Sequence, residues 1–441
     1  MNEEFRISNE ELRKGRRQGI LHSKFFIRNS KFIFLLALAF SCTIRPAHQE
    51  HLKFWGLGHE GEVVAQLLPE FTRRTGIRVD VQQIPWTAAH EKLLTAFVGD
   101  ATPDLAQMGN TWIPEFNAVG ALDSLSLRLA NSSIREGDYF PGIWATNVVD
   151  SVVYGIPWYV DTRVLFYRTD LVPNPPRTWD EWLAAMKHVK ERRPNSYAIL
   201  LPTNQWEEVT ILALANHASL LNADGTEGAF RDPRFVAAFR FFVDIFRRGF
   251  AQAVANTQVA NVYQGFAQGD FAMYITGPWN VGEFRKRLPP EMNGKWATAP
   301  MPAPRASDWP GMSMAGGSSL VIFRASKKKD AAWKLIEFLS EPAQQVRFYE
   351  LTQDLPAHRE AWKMRGVAND PPLAAFRQQL EHVAPLPRVP EWEQIATNIY
   401  QDGEATVRGR MTVEQAAADL DRKADHILAK RRWVLARMRG Q

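Results

Sequence analysis

The chain has 441 residues, 45% of them hydrophobic and 23% charged, which is long enough for two core-bearing domains. Its net charge of +5 is concentrated at the start, where residues 1–41 hold eight Lys or Arg and four Glu; the remainder is close to neutral and lacks the basic stripe of a nucleic-acid binder. A single cysteine excludes an intrachain disulfide and a cysteine-rich zinc site, while fifteen tryptophans supply flat, amphipathic rings for both a core and a ligand site.

Lys24, Arg28 and Lys31 precede the apolar run 32–40. That run has the length of a signal-peptide h-region and falls short of the roughly 20 residues of a membrane-spanning helix. Residues 1–41 are therefore read as a targeting segment, and the protein as exported to the periplasm or cell envelope. Cys42 follows at once in Ala39-Phe40-Ser41-Cys42. This tetrapeptide resembles a bacterial lipobox, with Ala39 and Phe40 where Leu and a small residue are usual. The resemblance implies diacylation of Cys42; the alternative is an ordinary signal peptide cleaved nearby.

From Leu52 onward, strand and helix patterns alternate, which predicts an α/β fold. A strand over 52–55 runs into Gly56-Leu-Gly-His-Glu-Gly61 and a helix with Val63, Val64, Leu67, Leu68 and Phe71 at helical spacing. Gly56, Gly58 and Gly61 spell GxGxxG, a weak dinucleotide signal on its own, and no acidic residue ends a second strand at the expected distance. The loop is read instead as bringing backbone N–H groups and His59 or Glu60 to a ligand at a helix N-terminus, with no cofactor. Ile77, Val79 and Val81 alternate as a second strand, a helix runs from Pro85-Trp86 to about Val98, and 102–108 is a third strand. Asn110, Thr111 and Trp112 then combine an amide, a hydroxyl and a ring, equally compatible with ligand contact and with a helix cap beside a packed Trp.

The stretch 154–171, YGIPWYVDTRVLFYRTDL, has the β-branched and apolar content of a buried strand, yet it carries Trp158, Tyr159, Asp161 and Arg163. In one strand, Tyr159, Asp161 and Arg163 share a face, and that face suits a polar, flat-sided ligand. Thr178 to Glu181 reads as a capping box opening a helix with Leu183, Met186 and Val189. Trp206 lies between a strand over 198–201 and a helix over 209–221, a turn at which open α/β sheets place ligands. Phe235, Phe239, Phe242 and Phe246 form a core stripe on one helix. After a helix over 262–269, the run GDFAMYITGPWN passes from strand to loop, and Gly277 and Pro278 present Trp279 at a tight turn. A return strand over 296–302, a proline-rich connection and a strand over 320–323 follow. Ser326 is expected to cap the helix bearing Trp333, Ile336 and Leu339. Beyond 351 the chain reads as helical with loops; Thr412 to Gln415 forms a capping box for the last helix, whose basic end complements the helix dipole.

The segment 154–182 and the GPWN run resemble signature regions of the family 1 extracellular solute-binding proteins, the group containing maltose-binding protein. The likeness covers roughly residues 50–430. It implies a type II periplasmic-binding-protein fold, two α/β lobes joined by crossover strands around a ligand cleft, with 50–158 and 302–350 in the N-terminal lobe and 159–301 and 351–441 in the C-terminal lobe. It further implies the substrate-binding component of an ABC importer, a monomer that captures a mono- to trisaccharide and delivers it to membrane permease subunits, without cofactor, metal or nucleic acid. In such a protein Trp279 stacks on the sugar, the small-residue loop Gly316, Gly317 and Ser318 admits ligand to the backbone, and Arg388 reaches a hydroxyl. Met108 falls near an aromatic sugar contact and Trp112 replaces a charged position, so maltose specificity is not carried over. Two alternatives remain: the same fold binding a polyamine or glycerophosphodiester, and a secreted carbohydrate-active enzyme. For the latter, HExxH, GxSxG and Walker A motifs are absent from the sequence, and the adjacent Glu207 and Glu208 diverge by about 100° on a helix, a poor arrangement for flanking a glycosidic bond.

Overall fold

A computed structural model of the chain describes residues 50–439. The targeting segment and Cys42 lie outside the described residues. Two sheets organise the rest. The larger has six strands in the order Leu355–Pro356, Ile156–Asp161, Gly316–Ile322, Leu105–Gly109, His51–Leu57, Arg78–Ile84. His51–Leu57 pairs in parallel with its neighbours on both sides, as helical crossovers require, while Gly316–Ile322 returns antiparallel between Leu105–Gly109 and Ile156–Asp161. Because His51–Leu57 has the next strand on one side and the one after on the other, the carboxyl ends of His51–Leu57 and Leu105–Gly109 form a topological switch point, where such sheets bind ligands. The smaller sheet runs Trp296–Ala299, Val164–Arg168, Met273–Thr276, Ile199–Leu200.

The expected single strand through 154–171 is in fact two. Ile156–Asp161 belongs to the larger sheet and Val164–Arg168 to the smaller, with Thr162 and Arg163 between them outside either strand. Tyr159, Asp161 and Arg163 therefore do not share one strand face, because the chain changes sheets at this point. The turn is pinned from the side: the Ser313 hydroxyl donates to the Arg163 carbonyl at 3.0 Å. Leu355–Pro356 pairs with Ile156–Asp161, whereas Trp392, Ile395 and Leu420 pack in the cluster that holds Phe235, Phe239 and Phe242.

Other local expectations shift for identifiable reasons. The helix after Trp206 spans Glu207–Ala215 and stops short of 221, where His217 takes a left-handed φ of 56°. Ser326 does not cap the following helix, which begins at Lys329; its hydroxyl donates to Asp104 Oδ1 at 2.7 Å and accepts from the Lys328 N–H. Thr178 does accept from the Glu181 N–H at 3.2 Å, but the reciprocal bond runs from the Arg177 N–H to the Glu181 carboxylate. The Thr412–Gln415 box is reciprocal, at 3.1 and 2.9 Å, and a further helix, Ala429–Arg439, follows the one it opens.

Candidate functional site

The cleft is assembled from strand ends. His51–Leu57 delivers Glu60 at the start of a short helix, and the neighbouring glycines explain themselves as packing: Gly56 and Gly61 approach so closely that a Cβ on either would collide with the other. Arg78–Ile84 leads through Pro85 into the helix Trp86–Val98, and Leu105–Gly109 into Asn110–Trp112. From the smaller sheet, Ile199–Leu200 leads to Trp206 and Met273–Thr276 to Pro278 and Trp279. These ends surround a cleft of about 390 Å³. Tyr159, Asp161, Gly316, Gly317 and Asp354 form its remaining lining, together with Gly109, Val160 and Met314.

Four tryptophans define the walls. Trp86 and Trp112 stand on the larger-sheet side with ring centroids 5.7 Å apart at 64°. Opposite them, Trp206 is held edge-on by the buried Trp392 at 5.6 Å. The Arg163 guanidinium carbon lies 4.6 Å from the Trp279 ring centroid, and Trp279 lines the cleft while remaining 40% exposed. A Cβ at Gly277 would collide with that ring, which accounts for the glycine.

The polar groups are tightly linked. Tyr159 donates its hydroxyl to Glu60 Oε1 at 3.0 Å and accepts from Gln107 Nε2 at 3.1 Å. Trp86 Nε1 donates to Glu60 Oε2 at 3.3 Å. Arg163 Nη1 donates to both Asp161 oxygens at 2.6 and 2.7 Å, and its Nη2 lies 3.5 Å from Glu207. Burial pushes the Asp161 carboxyl above its ordinary value against the pull of Arg163. Burial and the nearby Glu60 charge hold the Asp354 carboxyl well above its own, and burial together with Glu60 and Asp354 does the same for the Tyr159 phenol. Behind Trp206, burial and the Glu207 charge push Glu208 up to about 8. Glu393 was not anticipated: it accepts the Thr111 hydroxyl at 2.9 Å and so ties the two sides together.

Of the sequence candidates, Glu60, Asn110, Thr111, Trp112, Tyr159, Asp161, Trp206, Trp279, Gly316 and Gly317 converge on this cleft. Arg163 stands behind it as the partner of Asp161 and Trp279, and Gly277 beneath the Trp279 ring. Four others lie elsewhere. Trp158 is a core residue, 4.4 Å from Phe348 between ring centroids, because adjacent strand residues face opposite ways and Tyr159 takes the cleft side. His59 is exposed and lies 3.4 Å from Glu62. Ser318 is buried in the sheet, donating to the Met108 carbonyl at 3.0 Å. Arg388 donates to the Ala145 and Val148 carbonyls at 3.2 and 2.7 Å, in a separate groove. Trp86 and Asp354 were missed; Pro85-Trp86 at a strand-to-helix junction was the available signal for the first.

Residues 56–346 match the family model for bacterial extracellular solute-binding proteins. The chain belongs to this family. It is 46% identical to the sugar-binding protein MalE of the phytopathogen Xanthomonas citri, with a TM-score of 0.85 over 88% of this chain and 99% of that one. It is also similar to the galactooligosaccharide-binding protein of Bacillus subtilis, 24% identical over 85% of this chain and 88% of that protein. A maltooligosaccharide ABC transporter solute-binding lipoprotein of Streptococcus pneumoniae is 25% identical over 60% and 64%, respectively. The fold is that of a type II periplasmic binding protein, and these relatives are binding proteins.

Proposed function

We propose that this solute-binding protein captures a mono- to trisaccharide between two closing lobes and presents it to the permease subunits of an ABC importer. The observation that carries the reading is the facing pair of aromatic walls, Trp86 with Trp112 and Trp206 with Trp279, around Asn110, Glu60 and Asp161. Pyranose rings offer C–H faces to aromatic rings while their hydroxyls need directional donors and acceptors. The names of the relatives support the same class of solute.

In this reading the N-terminal lobe carries most of the larger sheet and the C-terminal lobe the smaller, and the hinge includes Thr162 and Arg163. A ligand touching both walls favours closure, since only differential contact with the two states shifts their equilibrium. The protein is exported, works as a monomer, is tethered through a lipid on Cys42, and does not turn its sugar over.

A thermal-shift screen against mono- to trisaccharides, polyamines and glycerophosphodiesters tests this, because a ligand that binds only the native state raises the melting temperature by mass action. A rise with one saccharide class, and no product on prolonged incubation, is the expected result. A rise confined to polyamines or phosphodiesters would overturn the carbohydrate assignment, and sugar breakdown would overturn the assignment as a binding protein.

A further inference from the structure

The charge of the cleft is one-sided. Its lining holds the carboxyl groups of Glu60, Asp161 and Asp354, and among the described residues no Lys, Arg or His lines it. Arg163, behind the cleft, is engaged by both oxygens of Asp161, and its Nη2 lies 3.5 Å from Glu207. Among the described residues Glu60 accepts from neutral donors, the Tyr159 hydroxyl and the Trp86 indole, and forms no ion pair. Asp354 has no ion pair among the described residues; its backbone N–H goes to the Thr352 hydroxyl at 3.0 Å, and burial beside Glu60 and Asp161 favours its protonated form. The surrounding tryptophan faces add to this field, because the negative face of an aromatic ring attracts cations.

We infer that the preferred ligand carries a protonated amine: an amino-substituted sugar over its wholly neutral counterpart. The inference rests on the carbohydrate reading and specifies the solute further. Ionised carboxylates are acceptors only, and an ammonium offers several donors together with the compensating charge, where a hydroxyl offers one donor and none. An ammonium beside Asp354 also favours ionisation of that carboxyl, so the surplus of acid becomes attraction.

Isothermal titration calorimetry of the full chain at pH 7 with three matched pairs tests it: cellobiose and the β-1,4 glucosamine dimer, maltose and 2-amino-2-deoxymaltose, and trehalose and 2-amino-2-deoxytrehalose. The expected result is at least one amino sugar binding tenfold or more tightly than its neutral partner, with that ratio falling at least threefold in Asp354→Asn or, if that variant does not fold, in Glu60→Gln. Neutral partners binding as tightly or more tightly in every pair would overturn the inference and leave the carbohydrate reading standing. An unchanged ratio in a folded variant would overturn the role given to the acidic lining. Binding by none of the six would overturn the inference, while the carbohydrate reading stands or falls with the mono- to trisaccharide thermal-shift screen.

Discussion

Glu208 shows what a single buried carboxyl does to this molecule. It is 3% exposed, and its Oε2 has no hydrogen-bond partner among the described residues. Burial first, then the Glu207 charge, raises its pKa from the ordinary 4.5 to about 8. The unfolded chain gives up this proton near the ordinary value while the folded chain keeps it, so ionisation stabilises the unfolded state across that window. Stability of the unliganded protein is therefore expected to fall as pH rises from about 4.5 to about 8. In Glu208→Gln the difference between urea midpoints at pH 5 and pH 8 should shrink by at least half; an unchanged difference would place the pH dependence on other groups. None of this was legible in the sequence, where Glu207 and Glu208 are two adjacent acids at a helix start. Which of them is buried depends on what the helix packs against. Trp158 and Tyr159 pose the same problem: alternation shows that they face opposite ways, but it does not show which way the ligand lies.

At the scale of elements, periodicity was a reliable guide wherever one face of a helix meets the core. Phe235, Phe239 and Phe242 are buried in the helix Pro233–Arg247 as their spacing predicts, with successive ring centroids 5.8 and 6.5 Å apart. Replacing a fully buried Phe by Ala costs about 3–5 kcal/mol through lost burial and the cavity left behind. Phe239→Ala should lower stability by that amount in urea unfolding, and a loss below about 1 kcal/mol would mean that the cluster collapses to fill the space. Strand-to-loop junctions were similarly legible, since they located Glu60, Asn110, Trp206 and Trp279 by their places after strands. What the pattern did not show is where a continuous apolar run changes sheets, as at Thr162 and Arg163. Nor did it show the pairing of Leu355–Pro356 with Ile156–Asp161, which brings Asp354 to the cleft; local sequence carries no record of such a long-range partner.

For the whole molecule, the same cleft that separates the sheets is where their loops meet. Thr111 with Glu393 links the two sides beside the cleft, and Arg388 with the Ala145 and Val148 carbonyls makes a further link in a separate groove. In the proposed reading a saccharide would add contacts from Trp86 and Trp112 on one side and Trp206 and Trp279 on the other, and closure would follow from that two-sided contact. The family resemblance of the crossover and GPWN segments carried most of the architecture. In the proposed reading the identity of the sugar would depend on how its polar groups match Asn110, Glu60, Asp161 and Asp354 in the cleft lining, a matter of ångström-scale geometry that motifs do not encode. The most direct measurement is a titration of intrinsic tryptophan fluorescence with the saccharide panel, on the wild-type chain and on Trp279→Ala. Binding between the aromatic walls predicts a saturable, single-site emission change with one sugar class and at least a tenfold loss of affinity in Trp279→Ala, at a melting temperature close to wild type because that ring is 40% exposed. Undiminished affinity in Trp279→Ala, or no emission change with any saccharide, would contradict capture in this cleft.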